Sequence, residues 1–160
     1  MTSLTLRFTK ISATHHRFEY RREDSSGENL ELESKAFLLH DFIHLALESE
    51  ARLAHSFYGM LAAGHTYGAM TPEAMGEELM VGERGITERL VGGLTGVVRD
   101  TLTPEDFLTA MQNAFDAYHE PMPEWLTKEV VVRIQNHFQN LWGHWKSTPY
   151  GETLELTFQA

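Results

Sequence analysis

The two ends of this chain are written in period two, and its middle is not. Near the N-terminus "SLTLRFTK" alternates Leu4, Leu6 and Phe8 with Thr5, Arg7 and Thr9, the pattern of a strand with one buried face. "RFEYRRE" repeats it through Phe18 and Tyr20, "EDSSGEN" supplies turn residues from Asp24 to Gly27, and "LELE" from Leu30 to Glu33 resumes it, which is a hairpin signature. At the far end "ETLELTF" alternates Leu154, Leu156 and Phe158. Strands that are apolar on one side only belong in a largely antiparallel sheet with one face on helices and the other in water. The simplest closure brings the C-terminal strand beside the N-terminal ones. The expected fold is α+β, one domain over residues 1–160, with about four strands from both chain ends packed on roughly four or five helices.

Composition narrows the function classes. The 160 residues are 42% hydrophobic, enough for one sizeable core. A formal net charge of −10 repels phosphate backbones and anionic headgroups, so neither nucleic acid nor a membrane surface is an expected partner. The densest basic patch, His15 to Glu23, alternates along a strand and carries its own acids. The absence of cysteine removes disulfides, thiolate zinc sites and cysteine nucleophiles together. The N-terminus has no apolar signal region and no run approaches membrane-spanning length, so a soluble cytoplasmic protein is expected. Nucleophile-elbow, Walker and dinucleotide-binding glycine patterns do not occur.

The middle of the chain is punctuated for helices. Thr71-Pro72-Glu73 and Thr103-Pro104-Glu105 each set an N-cap hydroxyl before proline at the first helical position, with an acid in the first turn. Pro121 and Pro123 divide a helix ending near His119 from a long one expected over Glu124 to Trp145, which carries Trp125, Trp142 and Trp145. Gly92, Gly93 and Gly96 interrupt "ITERLVGGLTGVVRD", Ile86 to Asp100, between the two Thr-Pro-Glu starts. Their spacing predicts close packing against another element in preference to a phosphate loop, since no strand precedes them.

One stretch carries the chemistry. "AFLLHDFIHLALESEARLAHSFYGMLAAG", Ala36 to Gly64, reads as one long helix. At about 100° per residue, His40, Asp41, His44, Glu48, Arg52 and His55 fall on one polar stripe, while the apolar residues fill a wider arc than a surface helix needs. The bland reading is a solvated face. The sharper one is that His40 and His44, at i and i+4, present two imidazoles to a divalent ion such as zinc, the spacing by which a helix offers paired nitrogen ligands. Glu48 is the nearest third ligand, although its Cα lies about 12 Å along the helix from that of His40. His137 and His144, which share a face of the last helix, and His119 are the other ligand candidates. Asp41 is the candidate catalytic group, either orienting an imidazole or assisting a bound water.

"HDFIH" resembles the zincin motif HExxH with aspartate at the second position, where the zincin glutamate activates the metal-bound water. It is also similar to the HDxxH element of the Coq-type ubiquinone-biosynthesis proteins. That resemblance implies a helical protein with a metal site made of two histidines, an aspartate and a later glutamate, and it puts Ser56 where the later glutamate belongs. The chain further resembles a group of uncharacterised bacterial proteins with an HDxxHxxxE helix after a strand hairpin.

Two functions from different classes follow. The first is a soluble domain acting through association, most simply a homo-oligomer burying the broad apolar arc and the Trp-rich last helix. The alternative is a metal-dependent enzyme, a hydrolase, built on the His40/His44 pair.

Overall fold

A computed structural model describes residues 3–159. Four strands, β1 (Ser3–Lys10), β2 (His15–Arg22), β3 (Gly27–Glu33) and β4 (Thr153–Gln159), form one antiparallel sheet in the order β3-β2-β1-β4. The C-terminal strand pairs with β1 as the alternation predicts: Leu6 stands opposite both Tyr20 and Leu156, and Phe8 opposite Phe18 and Leu154. Leu4, Leu6, Phe8, Phe18, Tyr20 and Phe158 are buried on the helix side. The outer face carries Arg7 between Glu19 and Glu155, with Arg7 Nη1 2.8 Å from Glu155 Oε2. β3 begins at Gly27, earlier than the alternation from Leu30 indicates. The turn is compact: Arg22 N–H donates to Ser26 O at 2.8 Å and Ser25 takes φ 71°, so pairing resumes at once.

Six helices fill the middle: α1 (Ser34–Ala51), α2 (Phe57–Ala62), α3 (Pro72–Met75), α4 (Gly82–Val98), α5 (Pro104–Ala117) and α6 (Lys128–Ser147). Two single 3₁₀ turns, Gly68–Met70 and Gly76–Met80, flank α3. Thr71 and Thr103 cap α3 and α5 by accepting from Ala74 N and Asp106 N. α6 starts later than the proline positions suggest, because Thr127 supplies its N-cap and leaves Trp125 in the preceding turn. α4 runs unbroken through its glycines. Gly93 lies where a Cβ would come within 2.8 Å of the Phe107 ring, so the close-packing reading is the one the fold bears out.

The expected single helix from Ala36 to Gly64 is two. α1 stops at Arg52, which adopts the left-handed conformation (φ 55°), and the chain turns back before α2. This break matters for the site because it removes His55 from the stripe and returns Tyr58 to α1.

α1 is the hub, packed on α6, α4, α2 and the sheet. Its apolar arc is therefore covered from within the chain: Phe42 meets Phe8 edge-on at 4.9 Å and both Trp142 and Trp145 near 6 Å. Trp145 is buried, and Trp142 stacks on Phe138. Much of the apolar surface behind the expected homo-oligomer is packed within the chain, with Trp142 partly buried. Among the described residues no helix is long and apolar enough to cross a membrane.

Candidate metal centre

The middle of the stripe on α1 is not wet, although His40 keeps 45% of its side chain exposed and Arg52 and His55 are exposed. Asp41 is 3% exposed, and His44 and Glu48 are fully buried, which is rare for ionisable groups unless they are paired. The pairing is specific. His44 Nδ1 lies 3.0 Å from Glu48 Oε2, and the other oxygen of Glu48 accepts the backbone N–H of Tyr58 at 2.8 Å. The Arg52 reversal makes this second bond possible by bringing the first turn of α2 alongside α1. Tyr58 then donates its hydroxyl to the Asp41 carbonyl at 2.8 Å, tying Asp41 and Glu48 to one buried residue. Burial first, then the nearby carboxylates of Asp41 and Glu48, push the Tyr58 phenol well up, so it remains a donor.

With Nδ1 of His44 turned to Glu48, its Nε2 points across to α4. There it meets Glu88, whose Oε1 is 3.2 Å away. His40, one turn earlier on α1, sets its Nε2 3.9 Å from Glu88 Oε2 and its Nδ1 3.5 Å from Asp41 Oδ1. The two imidazole centroids are 4.5 Å apart. One ligand atom from each of His40, His44 and Glu88 lies within 4.8 Å of the others. Ligands sharing a tetrahedral zinc at bond lengths near 2.0–2.2 Å stand about 3.3 Å apart, so the cluster needs only small side-chain rotations to close on one ion.

His44 Nε2 and Glu88 Oε1 are both buried and neither makes an aligned hydrogen bond. Orphaned buried polar atoms are uncommon in folded proteins. Arg84, one turn before Glu88 on α4, pairs its Nη1 with the same Oε1 but in an orientation that is not that of a hydrogen bond. Burial acts to raise the Glu88 carboxyl; the proximity of His40 and His44, with the charges of His44 and Arg84, outweighs it and holds the group well below the usual carboxylate range. For His40, burial acts downward, and contact with Asp41 and Glu88 reverses this and raises the imidazole to about 9. Without an ion, the site thus holds the Glu88 carboxylate against a protonated His40, and a bound cation would displace that proton.

No family model, curated protein or solved structure matches the chain.

The sequence-predicted ligands divide by position. His40 and His44 converge. Glu48 sits on the far nitrogen of His44, away from the convergence point. His137 Nδ1 is 3.3 Å from Glu50 Oε2 on the α6 side of α1. His144 is exposed near the end of α6, and His119 lies exposed just beyond α5 at φ 56°; none of these three joins the group. Ser56, the position at which the Coq-type pattern has its glutamate, is buried and hydrogen-bonds Glu83 at 3.3 Å. Glu88 was not singled out by sequence. A signal existed for its neighbours only: the apolar stripe of α4, Val98, Leu94 and Val91, continues backward at helical spacing into Thr87 and Arg84, so polar residues occupy a face whose period calls for core.

A cavity of about 240 Å³ opens beside the cluster, with His40, Asp41, Arg84 and Glu88 on its polar side and Phe37, Phe57, Met70 and Leu79 among its apolar walls. Tyr67 donates its hydroxyl to Asp41 Oδ2 across 3.4 Å, and burial followed by the Asp41 charge keeps that phenol protonated.

Proposed function

We propose that this protein is a metal-dependent enzyme whose centre is a divalent cation held by His40, His44 and Glu88, and that its reaction is a hydrolysis within the adjoining cavity. The observation that carries the reading is the buried His44 Nε2, which makes no hydrogen bond and faces the Glu88 carboxylate with Oε1 3.2 Å away. Two nitrogens and one carboxylate are a donor set suited to zinc or ferrous iron. Three protein ligands leave a coordination position free for water or substrate. A divalent ion there supplies Lewis acidity and brings the pKa of water toward neutrality.

The chain's own groups support this chemistry. Glu48 fixes the His44 tautomer, since Nδ1–H donates to it and the Nε2 lone pair is left for an ion. Asp41 stands 3.5 Å from His40 Nδ1 through one oxygen and accepts the Tyr67 hydroxyl at 3.4 Å through the other, which supports a positioning role for it beside His40. Phe57 and Tyr58 close the rear of the site against solvent.

The test is activity of untagged protein against a panel of chromogenic esters, anilides and phosphoesters, before and after chelation, with zinc, manganese or ferrous iron restored. Hydrolysis lost on chelation and regained with zinc, but absent in His44→Ala, supports the reading. Activity indifferent to chelation overturns it, and turnover that needs ferrous iron and dioxygen replaces hydrolysis by oxygen chemistry.

A further inference from the structure

Arg84 has no use in holding an ion, yet it is 6% exposed. Arginine is almost never so buried without a complete set of partners. Here its Nε and Nη1 make no hydrogen bond. Among the described residues its ionic partner is Glu88 Oε1, the oxygen that also faces His44 Nε2. One carboxylate is thus shared between a guanidinium and the candidate ion. A cation held by the histidines would draw Glu88 toward them, and the guanidinium, forming part of the cavity wall, would then face that space without its counter-charge. Its plane is held from behind by Phe57, with the guanidinium carbon 5.4 Å from the ring centroid, so the fork is fixed rather than free to swing into solvent.

We propose that the cavity takes a small molecule bearing a carboxylate on an apolar body, and that Arg84 is the anchor for the carboxylate. The claim rests on the metal reading above and specifies its substrate class. The planar fork of arginine matches a carboxylate through paired N–H donors, and an anion entering there restores the charge that Glu88 gives up. The rest of the ligand meets a mainly apolar wall of Phe37, Phe57, Met70, Pro72 and Leu79, in which Tyr67 and Thr71 carry the hydroxyls. The cavity of about 240 Å³ lies just below the usual range of small-molecule sites, which suits a short chain or a single ring. Phe37, 39% exposed at the mouth, extends the apolar wall outward.

The experiment is calorimetric titration of hexanoate into zinc-loaded protein, with hexanamide and inorganic phosphate as comparison probes, after zinc uptake has been measured on the same samples. Hexanoate should bind at least ten times more tightly than hexanamide or phosphate. Arg84→Met should take up zinc and lose that preference, and Arg84→Lys, which keeps the charge without the fork, should fall between. Hexanoate binding that survives Arg84→Met signals direct ligation to zinc and overturns the anchor. Equal binding of hexanamide, or tighter binding of phosphate, overturns the ligand class on the wild type alone, whatever the variants' folding. Zinc uptake with no hexanoate binding at millimolar concentration defeats this inference and leaves the metal reading standing; no zinc uptake defeats both.

Discussion

Glu48 and His44, both fully buried, are joined at 3.0 Å through the imidazole nitrogen that faces away from Glu88. The relationship turns an i,i+4 pair on one helix into a support for a ligand presented to another. Glu48→Gln keeps an acceptor for the Tyr58 amide but loses the charge on His44. Zinc affinity is expected to fall 10- to 100-fold, the usual effect of removing a group behind a metal-bound histidine, with a stability loss of about 1 kcal/mol. Zinc titration together with urea denaturation checks both halves; an unchanged affinity would contradict the supporting role.

Tyr58→Phe removes only the hydroxyl that donates to the Asp41 carbonyl at 2.8 Å. An unmade hydrogen bond at a buried carbonyl costs about 1–2 kcal/mol. Because the lost atom does not touch His40, His44 or Glu88, zinc affinity should stay within about twofold, a change of roughly 0.4 kcal/mol. Denaturant midpoints and the same zinc titration separate the two effects.

The fold of the sheet was legible because alternation is local: Leu4, Leu6 and Phe8 state their own face, and Leu154 to Phe158 state the matching one. Two features of the site were not. The end of α1 is set by Arg52 in a left-handed conformation, which no glycine or proline announces, so Glu48 read as a third ligand when it is wrapped by the returning chain. Glu88 lies on another helix, and helix–helix proximity has no signature in spacing along one segment. His40 and His44 were readable for the opposite reason, since both lie within a single turn. The stripe looked solvated because polarity along one helix does not reveal that α4 and α2 cover it.

The glycines of α4 supply a paired test of packing. At Gly93 a methyl group would meet Phe107 within 2.8 Å, whereas at the exposed Gly92 nothing lies within 4 Å. Gly93→Ala should destabilise by about 1–3 kcal/mol through overpacking. Gly92→Ala should stabilise by up to about 1 kcal/mol through helix propensity. Thermal or urea unfolding of the two variants checks the signs, and equal effects would contradict the asymmetry.

His16 is fully buried on the sheet's inner face, with Nδ1 2.9 Å from Ser34 Oγ and Nε2 without a partner. Burial, the dominant cause, lowers its pKa; the Asp41 charge opposes this and that of His15 adds to it. A histidine depressed in the folded state binds its proton more readily when unfolded. Its neutral form therefore favours folding above the unfolded value near pH 6.5, and stability falls as pH drops from there toward the folded pKa. NMR titration should give a His16 midpoint below 6.5, and the wild type should lose more stability than His16→Gln between pH 6.5 and 5; a midpoint at or above 6.5 would contradict this.

The central claim, that His40, His44 and Glu88 form one metal centre, is tested most directly by calorimetric titration of untagged, chelator-treated protein with zinc, manganese, nickel and ferrous iron. The wild type is expected to bind one equivalent of zinc at micromolar concentration or tighter. His44→Ala and Glu88→Ala should each abolish that uptake, while His55→Ala, outside the cluster beyond the end of α1, should bind as the wild type does. A wild type that takes up no ion at micromolar concentration, or a Glu88→Ala variant that binds zinc as tightly as its parent, would contradict the account.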